Sequence, residues 1–402
     1  MNTTRTAIVV GGGIAGPIAA TALRKAGIVA DVYEARLQPA DGIGGPVVLH
    51  QNGLVALDII DVGGAVRASA AAMPRTVMSV ADRPLGERPG TTGLEPRRII
   101  ERSTLYRLIR EHAEAAGVHF HYGRRLTGVD EKPNSITALF ADSSAATADV
   151  LIGADGVHST VRTLVDPNAP HPKYTGMLGF SGYTVGVEVP EPPGTVVTAF
   201  GKRGYYAYWV FAEGRIGWFA TLPQRRFLTL SQAREIRIEQ WLDRLRDTYV
   251  DEVPGTQLVE NVILESLSIN GPMEITPPMP HWHSHRMVLT GDAVHAPSNG
   301  TGQGVSLAVE SAIELARCLR DLPDPQSAFS AYEALRRERT ERIVQRGENV
   351  NRAMNSGPGG RFLMKHLAPL LFKTITRNHP AGLEMLHTID WAAPAGSDET
   401  AE

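Results

Sequence analysis

The segment GGGIAG at residues 11–16 constrains the fold more than any other feature of the sequence. It follows a short β-branched, apolar run at residues 6–10 and precedes an apolar helical pattern that ends at Gly27. A second apolar run at residues 29–33 then ends in Glu34. A strand, a glycine turn, a helix and a second strand in this order predict one βαβ unit with a right-handed crossover.

The glycines match GxGxxG, in which each position has a separate physical task. Gly11 allows the tight turn, Gly13 lets the backbone approach a pyrophosphate, and Gly16 packs the helix closely on the strand. The amides and dipole of the helix N-terminus attract phosphate. Glu34, eighteen positions after Gly16, is placed to accept the ribose hydroxyls of an adenosine. The unit therefore predicts a dinucleotide site, and NAD and FAD both fit it.

Two later segments distinguish these cofactors. They are VLIGADGVHSTVR at 150–162 and RMVLTGDAVHAPSNGTGQGVSLAVESA at 286–312, and each is a buried strand that enters an aspartate and glycine turn. Asp292 offers a carboxylate to a ligand hydroxyl, and the glycines near Gln303 free the backbone to approach a flat ring. The amides of the helix that follows would stabilise negative charge on a reduced flavin.

With these motifs in this order, residues 5–345 resemble the single-component FAD-dependent aromatic hydroxylases, the para-hydroxybenzoate hydroxylase-like flavoprotein monooxygenases. The resemblance implies that the Asp155-Gly156 segment lies near the pyrophosphate and takes part in NAD(P)H and FAD binding, and that the Gly291-Asp292 segment holds the ribitol. It also implies a contact of Arg102 with FAD and a backbone contact of Leu126 with adenine. Two positions depart from the family pattern: His50 stands where proline is common, and Ser311 where an acidic residue often stands.

The predicted cofactor site follows from the glycine motif, the late motif and the resemblance together. Its members are Gly11, Gly13, Ile14, Ala15, Gly16, Glu34, Ala35, Arg36, Gly45, Arg102, Leu126, Asp155, Gly291, Asp292, Gly302, Gln303, Gly304 and Val305.

The resemblance implies a defined activity. FAD would be bound non-covalently, NADH or NADPH would bind transiently as hydride donor, and O2 would react through a flavin hydroperoxide to hydroxylate a small aromatic or other electron-rich substrate. Epoxidation or Baeyer-Villiger oxidation on the same scaffold stays open, as does a non-catalytic flavin- or ligand-binding role. Halogenation is disfavoured because GWFATLP at 217–223 departs from the halogenase pattern GWxWxIP at Ala220 and Leu222.

Composition narrows the partners and the compartment. The net charge of -3 gives no reason to expect nucleic acid, and no apolar stretch approaches the roughly 18 residues of a membrane span. Cys318 is the only cysteine, so an intrachain disulfide cannot form and a cytoplasmic location is expected. A monomer and a homodimer are both compatible with the sequence.

The chain of 402 residues predicts an α/β fold with two connected domains. We expect a discontinuous Rossmann-like FAD-binding domain, an inserted mixed or antiparallel β-sheet substrate domain, and C-terminal helices. The expected ranges are 1–75, 97–165 and 281–345 for the FAD-binding domain, 76–96 and 166–280 for the substrate domain, 346–395 for the C-terminal helical segment, and 396–402 for a disordered tail.

Candidate substrate residues come from the aromatic-rich sheet region, where strand alternation allows only some side chains to face a cavity. The candidates are Tyr183, Arg203, Tyr206, Tyr208 and Trp218, with Trp209 and Arg215 beside them. No catalytic residue is assigned. The alternating histidines of HWHSH at 281–285 lack a carboxylate or cysteine to complete a ligand set, so we interpret them as a polar loop and expect no metal site.

Overall fold

The computed structural model describes residues 4–40, 44–80, 83–87, 94–354 and 384–395. The helices are α1 (Ala15–Lys25), α2 (Gln51–Ile59), α3 (Gly63–Ser69), α4 (Arg102–Ala115), α5 (Thr160–Val165), α6 (Leu230–Glu235), α7 (Ile238–Tyr249), α8 (Gly255–Glu260), α9 (Asp292–His295), α10 (Gly304–Asp321) and α11 (Pro325–Met354). The strands are β1 (Thr6–Val10), β2 (Val29–Glu34), β3 (Pro46–Leu49), β4 (Ala71–Met73), β5 (Arg75–Val80), β6 (Arg83–Glu87), β7 (Arg97–Glu101), β8 (Phe120–Tyr122), β9 (Leu126–Glu131), β10 (Ile136–Phe140), β11 (Ala145–Ala148), β12 (Val150–Gly153), β13 (Lys173–Thr184), β14 (Thr195–Phe200), β15 (Tyr205–Val210), β16 (Ile216–Pro223), β17 (Ser268–Ile275) and β18 (Met287–Leu289).

A five-stranded parallel sheet is the centre of the first unit. Its order is β18-β12-β1-β2-β8, and every pairing is parallel. The three strands β18, β12 and β1 read as nearly continuous apolar runs because both of their faces are covered, with β12 and β18 buried at every position. Helix α10, buried through almost its whole length, packs against α1, α2 and α11.

Two small antiparallel sheets border this centre. Strands β11, β10 and β9 form one, and β3, β7 and β4 form the other. In the second sheet, Pro46 of β3 is the register partner of Glu101 at the end of β7. The start of β3 therefore lies beside the start of α4.

A seven-stranded mixed sheet forms the second unit, in the order β17-β13-β16-β15-β14-β5-β6. Helices α7 and α8 cover one face, where Trp241, Tyr249 and Leu258 pack into a core with the inward side chains of β13 to β16. The opposite face packs towards β3 and β7, since Trp209 shares a small core with Val48 and Ile99. The second unit therefore covers the first with one face of its sheet.

The predicted fold class is confirmed: a parallel Rossmann-like unit, an inserted mixed sheet and C-terminal helices are all present. The second apolar run, expected at residues 29–33, forms strand β2 over Val29–Glu34. The FAD-binding domain was expected to end at position 345, but helix α11 continues past that position without a break. Ile343 and Val344, just before it, are still buried. Residues 355–383 of the expected C-terminal segment and the expected tail 396–402 lie outside the described residues. Within the described ranges, no helix is long and apolar enough to cross a membrane.

Gly16 is the position where the first unit tolerates least added volume. A Cβ there would lie 1.9 Å from the carbonyl oxygen of Gly11, so α1 would have to move off the glycine turn. We expect Gly16→Ala to lower the free energy of unfolding by about 1–3 kcal/mol. Gly64 in α3 is the matched control, since a Cβ there meets nothing within 4 Å and alanine should be neutral or slightly stabilising. Urea unfolding of both variants measures this, and equal stabilities would contradict it.

Candidate functional site

The three sequence motifs lie side by side because their strands are neighbours. In the order β18-β12-β1-β2, the loops after all four strands leave the same edge of the parallel sheet. A Cβ on Gly11 would lie 2.4 Å from the Ala154 carbonyl oxygen, and one on Gly291 would lie 2.9 Å from the Ala15 Cβ. These close approaches bring the first, middle and late motifs together at one edge of the sheet.

The glycine turn presents backbone rather than side chains to that cleft. Gly13 is exposed, and a Cβ on it would meet no atom within 4 Å. Ile14 is the N-cap of α1, and no side chain caps the helix there. The amides of the first turn are therefore available to a phosphate, and phosphate binding there remains a prediction.

Glu34 is held in a fixed position at the end of β2. Its carboxylate accepts hydrogen bonds from the Gly12 amide at 2.6 Å and the Arg36 amide at 2.8 Å. These bonds leave each oxygen a further acceptor position for a ribose hydroxyl. Ala35 is partly exposed, and the Arg36 side chain is exposed.

The chain that leads into β9 lies directly beside this carboxylate. The Arg124 amide donates to the Glu34 carbonyl at 2.8 Å, which places the buried Leu126 close to the end of β2. An adenine contact of the Leu126 backbone remains a prediction, and its location beside the proposed ribose site supports it.

The Asp155 carboxylate forms hydrogen bonds within its own loop. It accepts from the Ser159 hydroxyl at 2.5 Å and from the Thr160 and Val161 amides at 2.7 and 3.1 Å. These bonds fix the turn between β12 and α5 and use most of the acceptor capacity of the side chain. The structure therefore supports a positioning role for Asp155, with its backbone next to Gly11.

Arg162 joins the middle motif to the late one and was not among the predicted site residues. Its buried guanidinium donates to the carbonyl oxygens of Ala293 at 2.8 Å, Val157 at 2.8 Å and Asp292 at 3.3 Å. The only sequence signal was its place at the end of the ADGVHSTVR segment.

Asp292 projects into the cleft. The residue is exposed, yet surrounding protein raises the pKa of its carboxyl by desolvation, and the charges of Arg102 and Arg162 act against that rise. An exposed carboxylate enclosed by protein is expected where a ligand hydroxyl replaces water. The exposed Arg102, whose side chain passes Gly44, lies near this carboxylate.

The turn before α10 has the features expected of a flat-ring site. Gly302 adopts φ +65°, and a Cβ there would lie 3.2 Å from the His50 Nε2 atom and 3.9 Å from Val48. Asn52 donates to the Gln303 Oε1 atom at 3.1 Å, but Asn52 Oδ1 and Gln303 Nε2 are buried and find no partner among the described residues. Gly304 and Val305 follow, both partly exposed. His50, at the departure from the family pattern, therefore borders this turn.

Behind this turn, charged side chains are buried between α2, α10 and α11. Glu310 accepts from Asn52 at 2.6 Å, from Arg336 at 2.6 Å and from Arg339 at 2.8 and 2.9 Å. Burial would raise the pKa of this carboxyl, but the two arginines outweigh burial and hold it at about 2. Glu310 is therefore ionised, and it fixes the Asn52 amide that contacts Gln303.

Ser311, the second departure from the family pattern, lies next to this network. Its hydroxyl is 2.8 Å from His295 Nε2 and accepts from Arg336 at 3.3 Å. Burial, with Arg336 nearby, lowers the pKa of His295 to about 3, so its imidazole is neutral. The Ser311 hydroxyl and the His295 imidazole that it contacts are therefore both uncharged. The Arg336 guanidinium forms its ion pair with Glu310.

Strand alternation divides the sheet aromatics between two faces. Tyr206, Tyr208 and Trp218 lie on the face covered by α7 and α8, in the core around Trp241 and Tyr249. The structure corrects the substrate assignment for these three residues, because side chains on that face point away from the cleft. Which face is inward depends on how the whole sheet docks, and strand pattern alone does not decide this.

The remaining substrate candidates lie in different parts of the second unit. Arg203 lies at the β14-β15 hairpin, where it pairs with Asp251 at 2.8 Å on the exposed surface. Tyr183 lies on the cleft face, and its hydroxyl donates to Glu101. Arg215 stacks over Tyr183, with its guanidinium carbon 4.5 Å from the ring centroid. Gly45 packs against β13, the strand that carries Tyr183, since a Cβ on Gly45 would lie 2.3 Å from the Ser181 hydroxyl oxygen.

The histidines of the HWHSH segment are outside the cleft. His283 has its Nε2 atom 3.6 Å from a Glu333 carboxylate oxygen. Among the residues that the structure describes, no group of three or more potential metal ligands occurs.

Together the cleft offers an open glycine turn, a carboxylate at each end, buried amide atoms of Asn52 and Gln303 that lack a partner among the described residues, and an exposed arginine. These features fit an extended dinucleotide with a flat ring, and they define a flavin-dependent enzyme with a Rossmann-like fold. The chain belongs to the FAD binding domain family, whose model matches residues 4–347.

The curated relatives of this chain include hydroxylases and monooxygenases. The chain is 30% identical over 356 residues to the FAD-dependent urate hydroxylase of Klebsiella pneumoniae, covering 84% of this chain and 87% of the relative. It is 29% identical over 358 residues to the 3-amino-4-hydroxybenzoate 2-monooxygenase of Streptomyces cremeus, covering 85% and 86%. The chain is an FAD-dependent monooxygenase, as the sequence predicts.

Solved structures share the fold. Klebsiella pneumoniae HpxO complexed with FAD and uric acid superposes with a TM-score of 0.79 at 22% identity, over 96% of each chain. The 2,6-dihydroxypyridine-3-hydroxylase from Arthrobacter nicotinovorans gives a TM-score of 0.73 at 19% identity, over 88% of this chain and 93% of that chain. The family match and the FAD-dependent urate hydroxylase confirm FAD as the cofactor, and NAD(P)H as hydride donor is typical of this class.

Glu34→Gln tests the anchored carboxylate. We expect FAD to bind about 10- to 100-fold more weakly, because charge-assisted hydrogen bonds to ribose hydroxyls contribute about 1.5–3 kcal/mol. Titration of the apoprotein with FAD, followed by flavin fluorescence, measures this. Glu111→Gln, on the exposed face of α4, is the control and should bind FAD like the parent. An unchanged affinity of the Glu34 variant would rule out the ribose contact.

Glu310→Gln tests the buried network. Removing the charge leaves Arg336 and Arg339 without their ionic partner, so the free energy of unfolding at pH 7 should fall by about 3–5 kcal/mol. The pKa of Glu310 is about 2 in the folded protein against an ordinary value of 4.5, so its stabilisation is complete above pH 4.5 and is lost as the pH falls towards 2. The difference between parent and variant should therefore be about 1.4 kcal/mol smaller at pH 3.5 than at pH 7.

Urea unfolding at the two pH values provides the measurement. Glu338→Gln is the control because Glu338 is exposed on α11, and it should change stability by less than about 0.5 kcal/mol. A pH-independent difference for Glu310→Gln would show that its ionisation is not the source of the stabilisation.

Proposed function

We propose that this monooxygenase hydroxylates a small aromatic substrate, with NAD(P)H as reductant and O2 as oxidant. One observation carries the proposal: the cleft face of the seven-stranded sheet lies over β3, the strand that also borders the turn before α10. Val48 of β3 packs with Trp209 on the sheet side and lies 3.9 Å from a Cβ placed on Gly302. A flat ring at that turn and a substrate under the sheet would therefore be neighbours.

The cleft face suits an aromatic ligand. Trp209 and Phe219 pack around Val48, while Ser181 and Asn270 supply polar atoms beside Gly45. Apolar walls with a few placed polar groups are the usual composition of small-molecule sites. The sheet covers β3 and β7, and a ligand held under it would be partly shielded from water, which favours oxygen chemistry.

The protein's contribution to the reaction is orientation and electrostatics. FAD, when bound, supplies hydride acceptance and the activation of O2. The amides at the start of α10 would stabilise negative charge at the ring edge, and Glu310 and Asn52 hold Gln303 for that purpose. Glu34 and Asp292 would bind the ribose and ribitol hydroxyls.

The relatives support an electron-rich aromatic substrate. Their names give urate and 3-amino-4-hydroxybenzoate as substrates, and both carry hydroxyl, amino or ring nitrogen groups that donate electrons to the ring. We propose the same class for this chain. Its Cys318 is buried and unpaired, which supports a reducing compartment such as the cytoplasm. A monomer and a homodimer are both compatible with the proposal.

The purified protein should be yellow, release intact FAD on denaturation, and oxidise NADH or NADPH faster when a suitable aromatic compound is added. A panel of phenols, hydroxypyridines, aminobenzoates and purines, followed at 340 nm and by mass spectrometry, should give a product heavier by one oxygen atom that carries label from ¹⁸O₂. Arg203→Ala, on the exposed hairpin, should keep the parent's kcat/KM. Reduction of FAD without any oxygenated product across the panel would count against the proposal.

A further inference from the structure

Residues 384–395, which we name the C-terminal strap, pack on the helices behind the cofactor turn. Ile389 of the strap is buried in the core of the first unit. Trp391 and Ala395 pack against the same core. The strap is therefore a packed part of the first unit.

Arginines from two helices hold the two ends of the strap. At its start, the buried Glu384 carboxylate pairs with Arg346 of α11. Towards its end, Arg320 of α10 donates to the Trp391 carbonyl oxygen at 2.6 Å. The Arg320 guanidinium carbon also lies 4.6 Å from the centroid of the Trp391 ring. The strap thus connects α10 with α11.

Arg339 joins the start of the strap to the buried carboxylate of Glu310. Its Nη2 atom donates to the Glu384 carbonyl oxygen at 2.6 Å and to Glu310 Oε1 at 2.8 Å, and its Nε atom donates to Glu310 Oε2 at 2.9 Å. Arg336 makes a parallel connection, because it donates to Glu310 at 2.6 Å and lies 3.3 Å from His387 Nε2. Each guanidinium is a planar fork, so the strap and the carboxylate fix each other's position.

The connection continues from Glu310 to the turn before α10. Glu310 accepts from Asn52 at 2.6 Å, and Asn52 donates to Gln303 Oε1 at 3.1 Å. Four hydrogen bonds therefore lead from the Glu384 carbonyl through Arg339, Glu310 and Asn52 to Gln303. Because Asn52, Glu310 and Gln303 are buried, water does not compete for these bonds.

The charge on Glu310 gives this path a direction. An ionised carboxylate only accepts hydrogen bonds, so the Asn52 side chain must turn its nitrogen towards Glu310. The same nitrogen donates to Gln303, which must therefore turn its oxygen towards Asn52. A change in the position of Glu310 would thus alter the orientation of both amides.

We propose that the C-terminal strap is a positioning element for the cofactor turn, so that docking of the strap and binding of FAD stabilise each other. This rests on the proposed function, which places the flavin ring at that turn. Coupling between binding free energies is reciprocal, so FAD tightens the strap by the same factor as the docked strap tightens FAD.

The chain offers a matched control for Arg339 on the same helix. Arg337 donates to Glu333 and Glu341, each at 2.7 Å, and to the Met279 carbonyl oxygen at 2.8 Å. Its hydrogen-bond partners among the described residues include neither Glu310 nor the strap. Arg337→Lys and Arg339→Lys both keep the charge and lose the planar fork, so they differ in which partners they disturb.

The first measurement is hydrogen–deuterium exchange of the parent with and without FAD, followed by mass spectrometry. FAD should slow exchange in peptides of the strap by about 5-fold or more. Exchange in α7, which belongs to the second unit, should slow less. Arg339→Lys should lose this excess protection of the strap, and Arg337→Lys should keep it. Equal slowing of the strap and α7 in the parent would overturn the proposal.

The second measurement is the affinity for FAD in a double-mutant cycle, by fluorescence titration of the apoproteins. Glu384→Gln removes the ion pair at the start of the strap, and Asn52→Ala breaks the path in its middle. Glu384→Gln alone should weaken FAD binding by about 5- to 10-fold. The double variant should bind FAD no more weakly than Asn52→Ala, because the path is already broken there. Additive effects would contradict the proposal.

The cycle separates this inference from the proposed position of the flavin ring. Unchanged FAD affinity of Asn52→Ala would reject that position and the inference with it. If Asn52→Ala weakens binding but Glu384→Gln lowers only the unfolding midpoint, the ring position stands and the strap is a structural element alone. Arg337→Lys should bind FAD like the parent even where its unfolding midpoint falls. If a variant fails to fold, exchange in the parent still tests the coupling.

Discussion

The site depends on close backbone contact between loops that leave neighbouring parallel strands. Gly11 lies against the Ala154 carbonyl, and Gly291 lies against Ala15, at distances that leave no room for a side chain. Because these approaches set the spacing of the three motifs, the cleft is built mainly from main-chain atoms. A pyrophosphate needs such a surface, since amides and a helix dipole neutralise its charge without a bulky cation.

The buried charges behind α10 complement this arrangement. Glu310, Arg336 and Arg339 exchange solvation for mutual hydrogen bonds, and removing one partner would leave the others unpaired in a low-dielectric interior. Such a network contributes modestly to net stability, but it allows only one relative position of α2, α10 and α11 that satisfies every partner. The helix start at Gln303 is thereby fixed relative to β3, which is what a ring held between them requires.

Local sequence patterns predicted the half of the site that is local in origin. Strand, glycine turn and helix follow one another within a few residues, so GxGxxG, Glu34 and the Gly291-Asp292 turn could be located before any tertiary contact was known. The alternation of side chains in β15 and β16 was also visible in the sequence, but the sequence did not show which alternate set faces the cleft. That depends on which sheet face α7 and α8 cover. Tyr206, Tyr208 and Trp218 were therefore assigned to the cleft, whereas they lie under the helices.

The contacts that sequence reasoning missed all join distant positions. Arg162 meets Asp292 across 130 positions, and Arg336 meets Glu310 across 26. No periodicity marks such pairs, because each partner alone is indistinguishable from a solvated surface charge. Asp155 shows the converse, since its motif was evident but its carboxylate serves the adjacent turn rather than the ligand directly.

The two halves of the cleft therefore differ in how they achieve recognition. On the cofactor side, glycines and helix amides define the shape, so most changes there would clash with backbone that has no freedom to move. On the substrate side, the side chains of Tyr183, Arg215 and Ser181 stand on strands whose backbone hydrogen bonds do not depend on their identity. Polar side chains that a bound ligand covers discriminate strongly, because a ligand that leaves one of them unpaired incurs its full desolvation cost. We therefore propose that a few side chains on one sheet face set substrate choice in this chain, and that cofactor binding is distributed over the main chain of three neighbouring loops.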